Sequence, residues 1–494
     1  MEVSLLSSST ILKLLLLVVM LVLCLVQTLR PRRKRTPLPP GLVPWPVVGN
    51  LPELILNKPA FRWIHHVMMQ MGTDIACFKL GRVHVMSIAC PEIAREVLKK
   101  QDANFVSRPL TFASKTISGG YKDAVLSPYG DQWKKMRHVF TSVITCPSRH
   151  KWLHDKRADE ADNLTRYVYN LATSTRSINV RHVARHYCGN VIRRLIFNKR
   201  YFGEPRSDSG PGPLEVQHVD ALLTSLGLLY AFCVSDYLPW LIGLDLDGHE
   251  KMVREANDTV NRLHDTIIDE RWRQWKSGER QEQEDFLDVL ISLKDAKGSP
   301  RLTIDEVKAL AKVRARIGLG RNPRVWNDPL RFNPDRHISA DPKAEVALTE
   351  NDLRFISFST GRRGCIAASL GTSMSVMLFG RLLQGFTWTK PAGMAAVDLS
   401  ESKHDTFMAK PLVLRAQPRL GRWQESAPAA GSARSSSPRN DAHNAEQPSI
   451  WPRATVRLPS PREATGAPSA LHTEFSHSGL LVQAVTNGAE RVET

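Results

Sequence analysis

The stretch FISFSTGRRGCIAASLG, residues 355–371, constrains this chain more than any other. A single thiol, Cys365, follows a loop of Gly and Arg and opens a run that reads as a helix. An unpaired cysteine is ordinarily a buried, inert apolar residue. Basic neighbours and a helix N-terminus instead favour a thiolate held for chemistry or for a metal. Gly361 and Gly364 permit backbone conformations that a Cβ forbids and allow close approach to a flat ligand. Arg362 and Arg363 supply positive charge, either to the sulfur or to an anionic ligand. Downstream, Ala367, Ala368, Ser369 and Gly371 are small, whereas Ile366, Leu370, Met374 and Met377 recur at helical spacing. The pattern predicts a helix packed on a core with a slim first turn.

The full chain of 494 residues sets the context, with 42% hydrophobic content, which is globular in character. Seven cysteines (Cys24, Cys77, Cys90, Cys146, Cys188, Cys233 and Cys365) are scattered without a CxxC pair. That argues for a reducing compartment and against a zinc ribbon or a disulfide scaffold. The net charge of +18 raises nucleic-acid binding, but the one dense basic run is RPRRKR, residues 30–35. No nucleic-acid motif and no basic stripe interleaved with aromatics accompanies it, so nucleic acid is not an expected partner. The basic run follows LLSSSTILKLLLLVVMLVLCLVQTL, residues 5–29, whose uninterrupted apolar part, Leu14 to Val26, is 13 residues long. Lys13 can snorkel and extend that stretch toward the ~20 residues of a span. Positive charge on its C-terminal side resists translocation, which favours a signal anchor with the body in the cytosol over a cleaved signal.

Behind the anchor, PLPPGLVPWPVVGNLPEL, residues 37–54, is Pro-rich and predicts extended chain. KPAFRWIHHVMMQMG and PEIAREVLKKQ read as helices with Pro near the start. Between them DIACFKLGRVHVMSIAC reads as two short strands joined near Gly81. The pattern is then mostly helical to Trp275, broken by the loop SDSGPGP, residues 207–213. Past residue 420 Ser, Pro, Ala and Arg dominate without hydrophobic periodicity, so 421–494 is expected to be disordered. The fold class expected is mainly α with a small β-sheet.

A cysteine thiolate serving as an axial ligand of haem iron needs room for the macrocycle and screened charge around sulfur, which the Cys365 segment offers. FSTGRRGCIA resembles the haem-binding loop of the cytochrome P-450 superfamily, Phe-x-x-Gly-x-Arg-x-Cys-x-Gly/Ala, with Phe358, Gly361, Arg363, Cys365 and Ala367 in its positions. The resemblance implies that Cys365 ligates the iron. WKKMR places Trp133 and Arg137 one helical turn apart, and in the family that pair, with the residue matching Arg363, meets a haem propionate. RFNPDRHI, residues 331–338, resembles the family's Phe-x-Pro-x-Arg segment, which implies a structural ion-pair role for Arg336.

The likeness extends over roughly residues 1–420. TPLPPG, RPLTFASKTISGGYKDAVLSPYGDQWKKMR and SFSTGRRGCIAASLGTSMSVMLFGRLLQGFTW together resemble the plant amino-acid N-monooxygenases, in particular the branch acting on tyrosine. That implies two N-hydroxylations of L-tyrosine, then dehydration and decarboxylation to 4-hydroxyphenylacetaldehyde oxime, as in cyanogenic glucoside synthesis. The implied cofactor is haem, with O2 as co-substrate and electrons from NADPH through a membrane-bound NADPH–cytochrome reductase at the endoplasmic reticulum. The expected organisation is an anchor at 1–29, a hinge at 30–54, a haem-thiolate domain at 55–420 and the tail at 421–494. The family's substrate-facing loop corresponds to about Ser107 to Ser127.

The chain departs from the family pattern between LTIDEVKALAKV and ARIGLGRNPRVW, near residues 310–318. The missing block would carry the helix over the oxygen pocket and the Glu-x-x-Arg helix that pairs with Arg336, so the fold is expected to be incomplete and no catalytic residue is assigned. A non-catalytic remnant, or an enzyme of valine, isoleucine or phenylalanine, are the alternatives. EIAR (Glu92 to Arg95) and ERWR (Glu270 to Arg273) lie too early and read as solvated helix faces. HVARH puts His182 and His186 one turn apart but lacks a zincin's Glu. The sequons at Asn163 and Asn257 are chance matches if the body is cytosolic.

Overall fold

A computed structural model describes residues 37–312 and 358–419, except 176, 205, 230, 395, 399, 401 and 403–407, together with Val18 and Val22. The expected anchor (bar these two residues), Arg336 and the expected disordered tail lie outside the described residues.

The Pro-rich segment carries no helix over residues 37–50, as its composition predicts, and it lies along a hairpin. The expectation of extended chain to residue 54 is corrected by a turn at 46–48 and a helix that starts at Leu51 with Pro52 in its first turn. Strands β1 (Ile75–Leu80) and β2 (Val83–Ile88) pair antiparallel from Leu80↔Val83 to Ile75↔Ile88. Gly81 supplies the positive φ of their tight turn, +55°. The Cys77 N–H donates to Pro40 O at 2.8 Å, and buried Asn50 accepts the Lys79 N–H on its side-chain oxygen. Helices α1 (Leu51–Leu56) and α2 (Ala60–Gln70) cover the hairpin, burying Leu51, Leu54, Ile64 and Met68 against Phe78 and Leu80.

After α3 (Pro91–Arg95) and a wider π-type turn at Glu96–Lys100, α4 (Phe112–Ile117) and α5 (Asp131–Val139) lead into the main helical layer. That layer comprises α6 (Pro147–Trp152), α7 (His154–Ser174), α8 (Val180–Phe197), α9 (Pro213–Leu229) and, after the short α10 (Val234–Tyr237), the long α11 (His249–Ser277). Short α12 (Phe286–Ile291) and α13 (Ile304–Leu310) follow it, and beyond the undescribed stretch comes α14 (Ala368–Gly385). The core gathers Leu164 and Val168 of α7, Val191 and Leu195 of α8, Ile268 of α11, Leu287 of α12, Val307 of α13 and Leu382 of α14. Each such side chain contributes about 1.5–3 kcal/mol when fully buried. A second sheet, in the order β3 (Ile178–Asn179), β5 (Val413–Pro418), β4 (Phe386–Thr389), closes α14 onto the start of α8. The fold is mainly α with small sheets, as expected.

α13 opens on a full capping box: the Thr303 hydroxyl accepts the Glu306 N–H, and Glu306 accepts the Thr303 N–H. Glu306 also receives Lys135 at 2.8 Å and Gln132 at 2.9 Å from α5. At the end of α11, Glu270 and Arg273 are exposed, as read, but Arg271 between them is buried. It donates to Asp285 at 3.0 Å and to Asp288 at 2.7 Å, tying α11 to α12.

Among the described residues, Pro213–Tyr237 is long and apolar enough to cross a membrane by length and composition, with mean hydropathy 1.4. Its α9 packs along α11 with Ala221 and Leu222 buried against Val260, as a core helix does.

Candidate functional site

The loop before Cys365 closes on itself, with the Cys365 N–H donating to Phe358 O at 2.7 Å and the Gly364 N–H to Gly361 O at 3.0 Å. Gly361 is required twice over. Its φ is +68°, and a Cβ there would stand 2.2 Å from Leu98 O in the π-type turn. The Arg362 N–H donates to Asp102 Oδ2 at 3.2 Å, fixing the loop to that same turn. Phe358 is half-buried, with its ring edge 3.9 Å from where a Cβ on Gly371 would stand, and Ala367 precedes the first turn of α14.

Arg363 turns inward. Its guanidinium donates to Val106 O at 2.6 Å, Ser127 O at 2.9 Å and Val125 O at 3.3 Å, so one side chain ties the cysteine loop to both ends of the 107–127 segment. It also lies 4.4 Å from the Trp133 ring centroid. Trp133 and Arg137, one turn apart on α5, both reach this place. The Arg137 guanidinium lies 5.6 Å from the Trp133 ring and donates to Gly364 O at 2.9 Å.

The electrostatics are those of cations gathered with little opposing charge. Burial, and then the neighbouring Arg108 and Arg137, push Arg363 down to about 9. Burial also lowers Arg137, with Cys365 opposing and Arg108 reinforcing the shift. Burial raises the Cys365 thiol, against the Ala367 backbone N–H and Arg137, which favour its thiolate. Among the described residues, the buried Trp133 Nε1 and Arg108 Nε have no hydrogen-bond partner. An anion placed among Arg108, Trp133, Arg137 and Arg363 would satisfy those donors and relieve the crowding. A haem, with acidic edges for that cluster and iron for a sulfur in a slim-walled loop, fits the residues present.

The structure therefore brings together Phe358, Gly361, Arg363, Cys365, Ala367, Trp133 and Arg137. Arg108 joins them without having been singled out in the sequence. It stands before Pro109 in a loop, and no helical or strand spacing connects it to residue 363.

The 107–127 segment is built around buried Asp123, whose Oδ1 accepts the N–H groups of Leu126 at 2.7 Å and Ser127 at 3.1 Å. With Leu222 and Leu226 of α9 and Val260 of α11, its Val125 and Leu126 line a mostly apolar pocket of about 30 Å³. Lys312 also lines the cavity, donating to Asn261 Oδ1 at 2.7 Å, and burial lowers its pKa.

The sequence profile of the cytochrome P450 family matches residues 39–313 and 316–414. A tyrosine N-monooxygenase of Sorghum bicolor is 62% identical over 532 aligned positions, covering 84% of this chain and 95% of the relative. Valine N-monooxygenase 1 of Manihot esculenta is 44% identical, covering 78% of this chain and 88% of the relative. Tryptophan N-monooxygenase 1 of Arabidopsis thaliana is 42% identical, covering 79% and 90%. Because 84% of 494 residues is about 415, on the order of a hundred of the 532 positions aligned with the Sorghum protein have no counterpart here. The family match itself breaks at residues 314–315, inside the interval where the sequence departs from the pattern.

Proposed function

The chain belongs to the cytochrome P450 family of haem-dependent monooxygenases, and on that footing we propose that it converts L-tyrosine to 4-hydroxyphenylacetaldehyde oxime by successive N-hydroxylation. The observation that carries the substrate is the 62% identity to a relative named for tyrosine, against 44% and 42% to relatives named for valine and tryptophan. Cys365 would ligate the iron, and Arg108, Trp133, Arg137 and Arg363 would hold the acidic edge of the macrocycle. When bound, haem supplies activation of O2 with electrons drawn from NADPH through a reductase. The chain's own part is positional. The Ala367 N–H and Arg137 favour charge on the sulfur, the Arg363 fork fixes the loop that carries it, and Gly361 lets that loop seat against residue 98. An anchor at 1–29, placing the body on the cytosolic face of the endoplasmic reticulum, completes the proposal. It rests on the basic run after the apolar stretch.

The test is turnover of L-tyrosine in membranes with a reductase and NADPH, reading oxime by mass. Oxime from an aliphatic amino acid with none from tyrosine would move the substrate assignment. A second reading, a non-catalytic remnant, is favoured by the break at 314–315. The reduced carbon-monoxide difference spectrum separates the two. A thiolate-type band from the chain as it stands, abolished by Cys365→Ser, supports the enzyme. A band seen only when the missing block is restored supports the remnant.

A further inference from the structure

Asp123 lies one peptide unit away from the Arg363 guanidinium. It is 3% exposed, and its Oδ1 accepts the N–H groups of Leu126 at 2.7 Å, Ser127 at 3.1 Å and Val125 at 3.3 Å. The Ser127 hydroxyl donates to Asp123 O at 2.6 Å and closes the turn. Burial raises the Asp123 pKa, and three N–H groups converging on one oxygen oppose that rise by favouring the carboxylate.

The other side of the same peptides faces Arg363. A trans peptide is planar and points its N–H and its C=O in opposite directions. The Leu126 N–H and the Val125 C=O belong to one such unit. Asp123 holds its N–H end, and Arg363 Nη1 donates to its C=O end at 3.3 Å. The Ser127 C=O, which takes Arg363 Nη2 at 2.9 Å, belongs to the peptide before Pro128, and that peptide has no N–H to steer it. Its direction is set by Ser127 itself, whose N–H Asp123 also holds. Among the described residues, Asp123 is the carboxylate whose charge acts on Arg363, against Arg108 and Arg137.

We propose that Asp123 is a positioning residue for the edge of the haem site. Acting through the 125–126 peptide and through Ser127, it orients and polarises the two carbonyls that aim the Arg363 guanidinium. The inference rests on the haem reading for what Arg363 meets, and on the geometry alone for the link between Asp123 and Arg363.

A double-mutant cycle of Asp123→Ala with Arg363→Met, followed by denaturant unfolding of the full haem-free chain, tests that link. The double variant should lose about tenfold less in the unfolding equilibrium than the product of the two single losses. Haem added to the full chain gives the second readout. Asp123→Ala should release haem about tenfold faster than the unsubstituted chain, and Asp123→Asn should restore much of the retention, because its side-chain oxygen still accepts. The same Asp123→Asn variant should raise the reduction potential of the bound haem, because the charge opposing Arg363 is gone. A merely structural role in the loop would leave that potential unmoved. Independent effects in the cycle, or an Asp123→Asn chain with an unshifted potential, would overturn the inference. Where Asp123→Ala fails to fold, the cycle is run with Asp123→Asn. A chain that takes up no haem would sink the haem reading by itself, and the cycle would still decide whether Asp123 holds Arg363.

Discussion

Replacing Asp288 by Ala should cost far more stability than replacing its neighbour Asp285. The Asp288 side chain is 0% exposed and collects donors from four residues. Arg271 reaches it at 2.7 Å, Arg280 grips both oxygens at 2.7 and 2.8 Å, Trp275 Nε1 donates at 2.9 Å, and the Glu284 N–H at 3.0 Å. Removing that carboxylate leaves Arg271, only 10% exposed, with Asp285 alone, and leaves the Trp275 donor bare. Breaking a buried ion pair from one side costs about 3–5 kcal/mol. Asp285 receives one Arg271 bond and caps α12 by accepting the Asp288 N–H at 2.9 Å. Against these, its charge is penalised by burial and by Asp288 beside it, which raise its pKa. Asp285→Ala should therefore cost about the 0.5–2 kcal/mol of a lost cap. The assay is denaturant unfolding of the full chain, followed by tryptophan fluorescence and circular dichroism. Equal losses for the two variants, or a loss below about 1 kcal/mol for Asp288→Ala, would refute the reasoning, because the asymmetry follows from which carboxylate the arginines converge on.

The same pair sets an acid profile. Asp285 is raised, so as pH falls below neutral it takes up its proton in the folded state first and stability rises slightly. Asp288 is lowered, mainly by its Arg280 and Trp275 bonds, so its contribution is present above the unfolded carboxylate range and is lost as pH falls through its lower folded value. Unfolding midpoints measured from pH 7 to 2 should show that shallow rise before the fall, and Asp285→Asn should remove the rise. Gly361→Ala should lower haem content and stability together, by about 1–3 kcal/mol for the forced positive φ, with Gly364→Ala as the milder control. Arg363→Lys keeps a charge but cannot fork to three carbonyls, so it should lose stability even before haem is added. Unfolding of haem-free chain unchanged by Arg363→Lys would count against the clamp.

The cysteine loop was legible because its geometry is local. A positive-φ glycine, an arginine two residues before the thiol and a slim helix start are all written within ten residues. The hairpin at Gly81 and the non-helical stretch 37–50 were legible for the same reason, whereas the helix starting at Leu51 was hidden behind the prolines before it. Trp133 and Arg137 could be put on one helix face by spacing, but their placement against Gly364 rests on a contact across more than two hundred residues, which only the family resemblance supplied. Arg108 carried no periodic signal at all. Arg271 shows the opposite failure, since its exposed neighbours made ERWR look like a solvated face. Its burial depends on α12 docking against α11, which no single-helix pattern records.

The capping box of α13 bears on what happens beyond it. Nucleation is the costly step of helix formation and elongation the cheap one. Thr303 and Glu306 cap the first turn from its N-terminal side, the Val307 N–H closes it on Thr303 O, and Lys135 and Gln132 pin it to α5, all without help from any residue after 312. The helix can therefore start whatever sequence follows Lys312. A chain regaining the missing block would extend an existing nucleus whose axis and phase are already set, and a chain lacking it keeps that nucleus folded with nothing to propagate.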